Sequence, residues 1–166
     1  MLQNLLKERF KLTVHKDEKV ISAFVLTVSK KGPKLKESEP GLMNCGPGQG
    51  EPGRAHVYCQ HLTSADMADA MMAIAQGYLQ GTPVIDQTGI KGTWEFKLDW
   101  TPAARYNAAT RPADGAGGTA VPAAPDSTLI SFFDAVEAQL GLSLENRKVP
   151  VPVIVVDHLD RVPIEN

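Results

Sequence analysis

Three narrow apolar stripes at helical spacing, each followed by strand-like runs, constrain this chain more than any other feature. Leu2, Leu5, Leu6 and Phe10 form the first stripe. Met67, Met71, Ile74, Tyr78 and Leu79 form the second, and Ile130, Phe133, Val136 and Leu140 the third. A stripe confined to one side means a helix with one covered face, which suits a helix laid on a sheet. Thr63 stands three residues before Asp66, close to a capping box, and marks the start of the second helix. Gly81 and Gly141 follow the second and third helices, where a left-handed C-cap favours glycine.

A pair of strand-like runs follows each helix. Lys11 to His15 and Val20 to Ser29 make the first pair, Pro83 to Asp86 and Thr93 to Trp100 the second, and Leu142 to Glu145 and Val151 to His158 the third. Between the members lie Lys16 to Lys19, Gln87 to Gly92, and Asn146 to Pro150, which read as turns. The expectation is an α+β fold of three helix–strand–strand units, with the helices packed on mainly antiparallel sheet. In the second pair, Trp94, Phe96, Leu98 and Trp100 alternate with Thr93, Glu95, Lys97 and Asp99, the pattern of a strand with one wet face. The aromatic stripe reads as core, with a ligand-stacking platform as the alternative. Val151 to Val156 is apolar on both faces, which suits a central strand or a contact between molecules.

A chain of 166 residues forms one domain, here 1–166, or two lobes, 1–100 and 127–166, joined by an Ala/Pro/Gly-rich loop at 101–126. Within that loop, Tyr106 to Pro125 offers little to bury and is expected to be loosely packed. A formal net charge of -2 argues against nucleic acid as a partner, which needs a basic face. No apolar run approaches the ~20 residues of a transmembrane helix. The start, Met1 to Phe10, carries Lys7, Glu8 and Arg9 and lacks a signal-peptide pattern.

Chemistry-bearing residues are sparse. Cys45, His56, Cys59 and His61 are the one cluster with metal-ligand character, and zinc accepts those donors, although the spacing is not that of a zinc knuckle. The same cysteines can instead close a single disulfide across a Gly- and Pro-rich stretch, or stay as two free thiols. If they share a strand, Cys59 and His61 lie on one face and His56 on the other. Gly46, Gly48 and Gly50 form a Gly-x-Gly-x-Gly run, but Glu51-Pro52-Gly53 follows where a phosphate loop needs a helix, so a flexible loop is expected. Asp86-Gln87-Thr88-Gly89 resembles an aspartic-protease Asp-Thr-Gly only loosely, because Gln87 separates Asp from Thr, and a turn accounts for those residues. Asp157 and His158 are adjacent, so on a strand they point apart and form no dyad. No Gly-x-Ser-x-Gly elbow is present. These residues assign no catalytic group and no cofactor.

Three segments resemble a known family. They are MLQNLLKERFKLTVHKDEKVISAFVLTVSKKGPKLKESE (Met1 to Glu39), PVIDQTGIKGTWEFKLDWTP (Pro83 to Pro102), and Ile130 to Asn166 with AVEAQLGL (Ala135 to Leu142) and VIVVDH (Val153 to His158). The chain resembles the soil-associated acidobacterial family of unknown function across nearly its whole length, and the two loops rich in Gly, Pro and Ala match least. The resemblance implies export from the cytoplasm, since family members carry a signal peptide or anchor. It also implies a link in some members to membrane-bound regulatory peptidases of the antibiotic-sensing type. It carries over no catalytic residue. Members have a stretch ahead of the MLQNLLKERF-like segment, so this chain is expected to match the later part of the family. The helix–strand–strand units are also similar to small modules at the front of secretins and TonB-dependent receptors, a likeness of fold alone.

Three functional classes follow as expectations. The first is an extracytoplasmic module that binds a protein or peptide partner without chemistry of its own. The second is a hydrolase or a regulatory subunit of a membrane peptidase system, and the third an oligomerisation module. For the first, Val151 to Val156 is the motivating feature. Pro150 and Pro152 stand at its start and cannot donate ladder hydrogen bonds. An apolar strand near an edge needs cover, from a preceding stretch of chain, a second copy, or a partner strand.

Overall fold

The computed structural model describes residues 2–110 and 129–163, and they form two compact units. The larger unit, Ala23–Arg147, is built on β6 (Trp94–Trp100). On it the alternation seen in the sequence is realised. Phe96, Leu98 and Trp100 are buried while Lys97 is exposed and Glu95 and Asp99 are half-exposed. β6 lies between β2 (Lys36–Glu37) and β4 (Ala55–Leu62), and β4 carries β3 (Asn44–Pro47) on its far edge, all antiparallel. β4 buries Val57 and Cys59 and turns His56, Tyr58 and Gln60 outward. Strict alternation would then bury His61 and expose Leu62. A bulge between Cys59 and Leu62 prevents this: His61 adopts φ 60, and Leu62 is fully buried. His61 and Cys59 therefore do not share a regular strand face.

Helices cover the inner face. α2 (Ser64–Ile74) starts with the capping box read from the sequence: Thr63 Oγ1 accepts from Asp66 N, and the Asp66 carboxylate accepts from Thr63 N. It buries Met67, Ala68, Ala70 and Met71, then breaks at Ala75 into α3 (Gln76–Leu79). α5 (Phe132–Ala135) is capped by Ser131 and runs into one π-helical turn, Val136–Leu140. Gly141 ends that turn at φ 66, and a Cβ there would lie 2.0 Å from the Gly32 carbonyl oxygen, so both conformation and space demand glycine. After the second helix the left-handed cap is Gln80, with Gly81 next to it.

All three hairpins expected from the sequence are absent. β1 (Thr13–Val28) and β7 (Leu142–His158) are each one unbroken strand, so Lys16 to Lys19 and Asn146 to Pro150 are extended, not turns. The members of the second pair separate. β5 (Val84–Asp86) runs parallel to β1 with Phe24 opposite Val84, while β6 joins the other sheet. The three-stranded sheet has the order β5-β1-β7. The misreading has a physical origin. Lys16 to Lys19 is exposed throughout, and a strand wet on both faces carries charge as readily as a turn does. The α+β class stands, with a mixed sheet and no threefold unit.

The stretch read as a loop from Thr101 opens with a helix, α4 (Ala103–Thr110). Its alanines favour helix, and the Tyr106 ring lies tilted against Tyr78 at 6.2 Å between centroids, so Tyr106 to Thr110 is ordered structure; 111–125 lies outside the described residues.

The smaller unit comprises Met1–Ser22 with Lys148–Asn166. α1 (Leu2–Phe10) leads into the first part of β1, which runs beside the last part of β7. Lys11 pairs with Asp160 and His15 with Asp157, so rising numbers meet falling ones and the two strands are antiparallel.

Leu98 lies at the centre of the inner face and is fully buried. Leu98→Ala is expected to lower the unfolding free energy by about 2–5 kcal/mol in urea titration. A loss below about 1 kcal/mol would show that β6 does not organise this unit.

Candidate functional site: a polar groove and an apolar ribbon

The wet face of the four-stranded sheet carries cross-strand pairs of polar side chains. Glu95 on β6 pairs with Lys36 on β2 and accepts from the Tyr58 hydroxyl on β4 at 3.0 Å. The Lys97 ammonium stands 5.8 Å from the centroid of the Tyr58 ring. His56 Nδ1 meets Asp99 Oδ1 at 2.6 Å. Gln139 accepts from the Asp99 amide and donates to its carbonyl, so the π-helical turn holds β6 at both backbone groups of one residue. A groove of about 560 Å³ runs over this face, floored by Tyr58, Glu95 and Lys97 and walled by Pro47, Gly48 and Gln49.

The Lys36 and Tyr58 hydrogen bonds hold the Glu95 carboxyl below its ordinary range, and the same bonds raise the Lys36 ammonium and the Tyr58 hydroxyl. The folded Glu95 is the stronger acid, so its stabilising contribution is present above the unfolded carboxyl range and is lost as pH falls through the folded value. Side-chain carboxyl NMR titration is expected to place the Glu95 midpoint below 4.5, and Lys36→Met is expected to raise it. A midpoint unmoved by Lys36→Met would remove Lys36 as the cause.

The metal-type residues of the sequence meet other partners. Cys45 and Cys59 sit directly opposite each other on β3 and β4 and are joined by a disulfide with Cα atoms 4.1 Å apart. His56 is engaged by Asp99 and by the Glu51 carbonyl at 2.7 Å, and His61 Nδ1 donates to the Glu39 carbonyl at 2.5 Å. Among the described residues no group of three or more His, Cys, Asp or Glu is arranged to hold a metal ion. Asp86 accepts from the Thr88 amide and hydroxyl, an Asx turn closing β5. Asp157 and His158 take separate partners, His15 and Asp160. Of the glycines in the run, Gly46 lies within β3 opposite Tyr58, and Gly48 donates to the His56 carbonyl just beyond the strand's end. A Cβ on Gly50 would fall 2.0 Å from the His56 ring, so the glycine permits a close approach that its motif did not suggest.

The disulfide closes a loop with a sequence separation of 14. Cys45→Ser with Cys59→Ala is expected to cost about 3 kcal/mol by urea titration. Equal stability of the paired and unpaired forms would mean that the ladder alone holds β3.

The second surface is in the smaller unit. His15 and Asp157 share one side of the ribbon, so Val14, Val20, Ile154 and Val156 share the other. Ile154 is 68% exposed, Val20 62% and Val156 55%, while Val151, Val153 and Val155 are half-buried. Lys7 of α1 joins Leu12, Val14, His15, Lys16 and Ile154 around an apolar groove of about 340 Å³. β7 is an edge strand of its sheet, so Val151 to Val156 is not the central strand that its sequence allowed. The sequence placed the apolar strand but could not say which of its residues face water.

The family model described as "Protein of unknown function (DUF3738)" matches residues 1–159, and the chain belongs to that family. No curated protein and no solved structure matches it. No helix among the described residues is long and apolar enough to cross a membrane.

Proposed function

We propose that this family member is an extracytoplasmic protein-interaction module that engages a partner through the apolar side of its β1–β7 ribbon. One observation carries the reading. Of the ten exposed large hydrophobics among the described residues, seven (Leu5, Val14, Val20, Ile154, Val156, Leu159 and Val162) belong to the smaller unit. Singly exposed apolar side chains are ordinary, but a concentration of them on one small unit marks a surface that is covered in use. An edge strand adds unpaired backbone groups to the same surface, and a two-stranded ribbon gains little stability by itself. The disulfide supports placement outside the cytoplasm, because such bonds persist in oxidising compartments.

A photo-crosslinking residue at position 154, in full-length protein in its native envelope, tests this. Leu42 is 91% exposed and lies in the larger unit, so position 42 is the control. A discrete adduct is expected from 154 and not from 42, and Val156→Lys is expected to reduce it at least about tenfold without lowering the melting temperature by more than a few degrees. An adduct of twice the chain's mass would identify a second copy as the partner. Equal labelling from both positions would overturn the proposal.

A further inference from the structure

The contacts of His56 set up a conflict that depends on one proton. Its Nδ1 faces the Asp99 carboxylate at 2.6 Å, and its Nε2 faces the Glu51 carbonyl oxygen at 2.7 Å. Both partners are acceptors, so both ring nitrogens must carry hydrogen, and only the imidazolium has two N–H groups. A neutral ring would leave one nitrogen lone pair pointed at an oxygen.

The two contacts are unequally anchored. Asp99 belongs to β6, and Gln139 holds its backbone at both the amide and the carbonyl. Glu51 belongs to an exposed loop between β3 and β4. Contacts between that loop and its surroundings include the Gly48 amide to the His56 carbonyl at 3.0 Å, the Glu51 carbonyl to the His56 ring, and the Gly53 carbonyl to Arg105 at 3.0 Å. Gly50 lies against the imidazole, with no room for a side chain.

We propose that His56 is a proton-operated latch, which holds the Gly48–Arg54 loop closed against the polar groove when charged and releases it when neutral. On deprotonation the ring keeps its Nδ1–H on Asp99 and loses the donor to Glu51, so the loop is the part that moves. Pro47, Gly48 and Gln49 wall the groove, so release widens the approach to Tyr58, Glu95 and Lys97.

The surrounding charges are Asp99 from β6, Glu51 and Arg54 from the loop, and Arg105 from α4. The Asp99 and Glu51 hydrogen bonds favour the charged ring and the Arg54 charge opposes it; the net direction for His56 is upward from 6.5. With a raised folded value, the latch is fully set below the unfolded histidine range and is lost as pH rises through the folded value.

The test is NMR on the intact protein from pH 5 to 9, with amide exchange at residues 49–54 corrected for its intrinsic pH dependence. Both ring nitrogens of His56 are expected to be protonated at pH 6. Loop exchange is expected to rise at least tenfold across the His56 titration, while exchange in β6 stays level. His56→Gln is expected to abolish that step. Gly50→Ala is expected to leave the loop open at every pH, although it alters no titrating group. A ring already neutral at pH 6, or loop exchange that stays level as His56 titrates, overturns the latch.

Discussion

Burial of one face of β6 is the constraint on which the larger unit depends. Phe96, Leu98 and Trp100 must leave water together because alternation places them on one side of one strand. That side is closed by α2 and by α5 with its π-helical turn, and Phe132 meets Trp100 edge-on at 5.4 Å. The rest follows from keeping the face dry. The bulge in β4 brings Leu62 inward, and Gly141 lets the chain turn from the π-helical turn into β7 without a gap. The polar groove is the other side of the same strand. Glu95, Lys97 and Asp99 stand in a row because Phe96, Leu98 and Trp100 do, so packing sets the spacing of the groove's charges.

Legibility in the sequence followed the range of the interaction. The β6 alternation, the Thr63–Asp66 capping box and the glycine at 141 are settled by neighbours a few residues away, and each could be read directly. The two long strands could not. Lys16 to Lys19 is extended because β7 lies beside it, and β7 is more than a hundred residues distant. The cysteines were open to three readings because spacing does not reveal that Cys45 and Cys59 are directly opposed on β3 and β4. The pairing of His56 with Asp99 was equally hidden, since it depends on the register between β4 and β6. A Gly-rich segment ending at a histidine was the one local trace of that site.

The two surfaces differ in what they offer a ligand. The ribbon presents aliphatic groups with little directional preference, a surface suited to area-driven association. The groove presents charges already paired to one another, so a ligand there must displace or share existing hydrogen bonds. As proposed, the two surfaces therefore answer to different conditions, partner binding at the ribbon to apolar burial and access to the groove to proton concentration.

His15 and Asp157 are 142 residues apart in sequence, yet they meet across the ribbon. Closing such a loop from an unfolded chain costs about 2 kcal/mol more than closing the short disulfide loop, by the logarithm of the length ratio. Once Ser29 has bonded to Gly141 within the larger unit, most of that separation is already spanned, and the remaining strand can zip outward residue by residue. During synthesis β1 leaves the ribosome long before β7 exists, so the earliest strand made can meet β5 but must wait for its second neighbour until the chain is nearly complete.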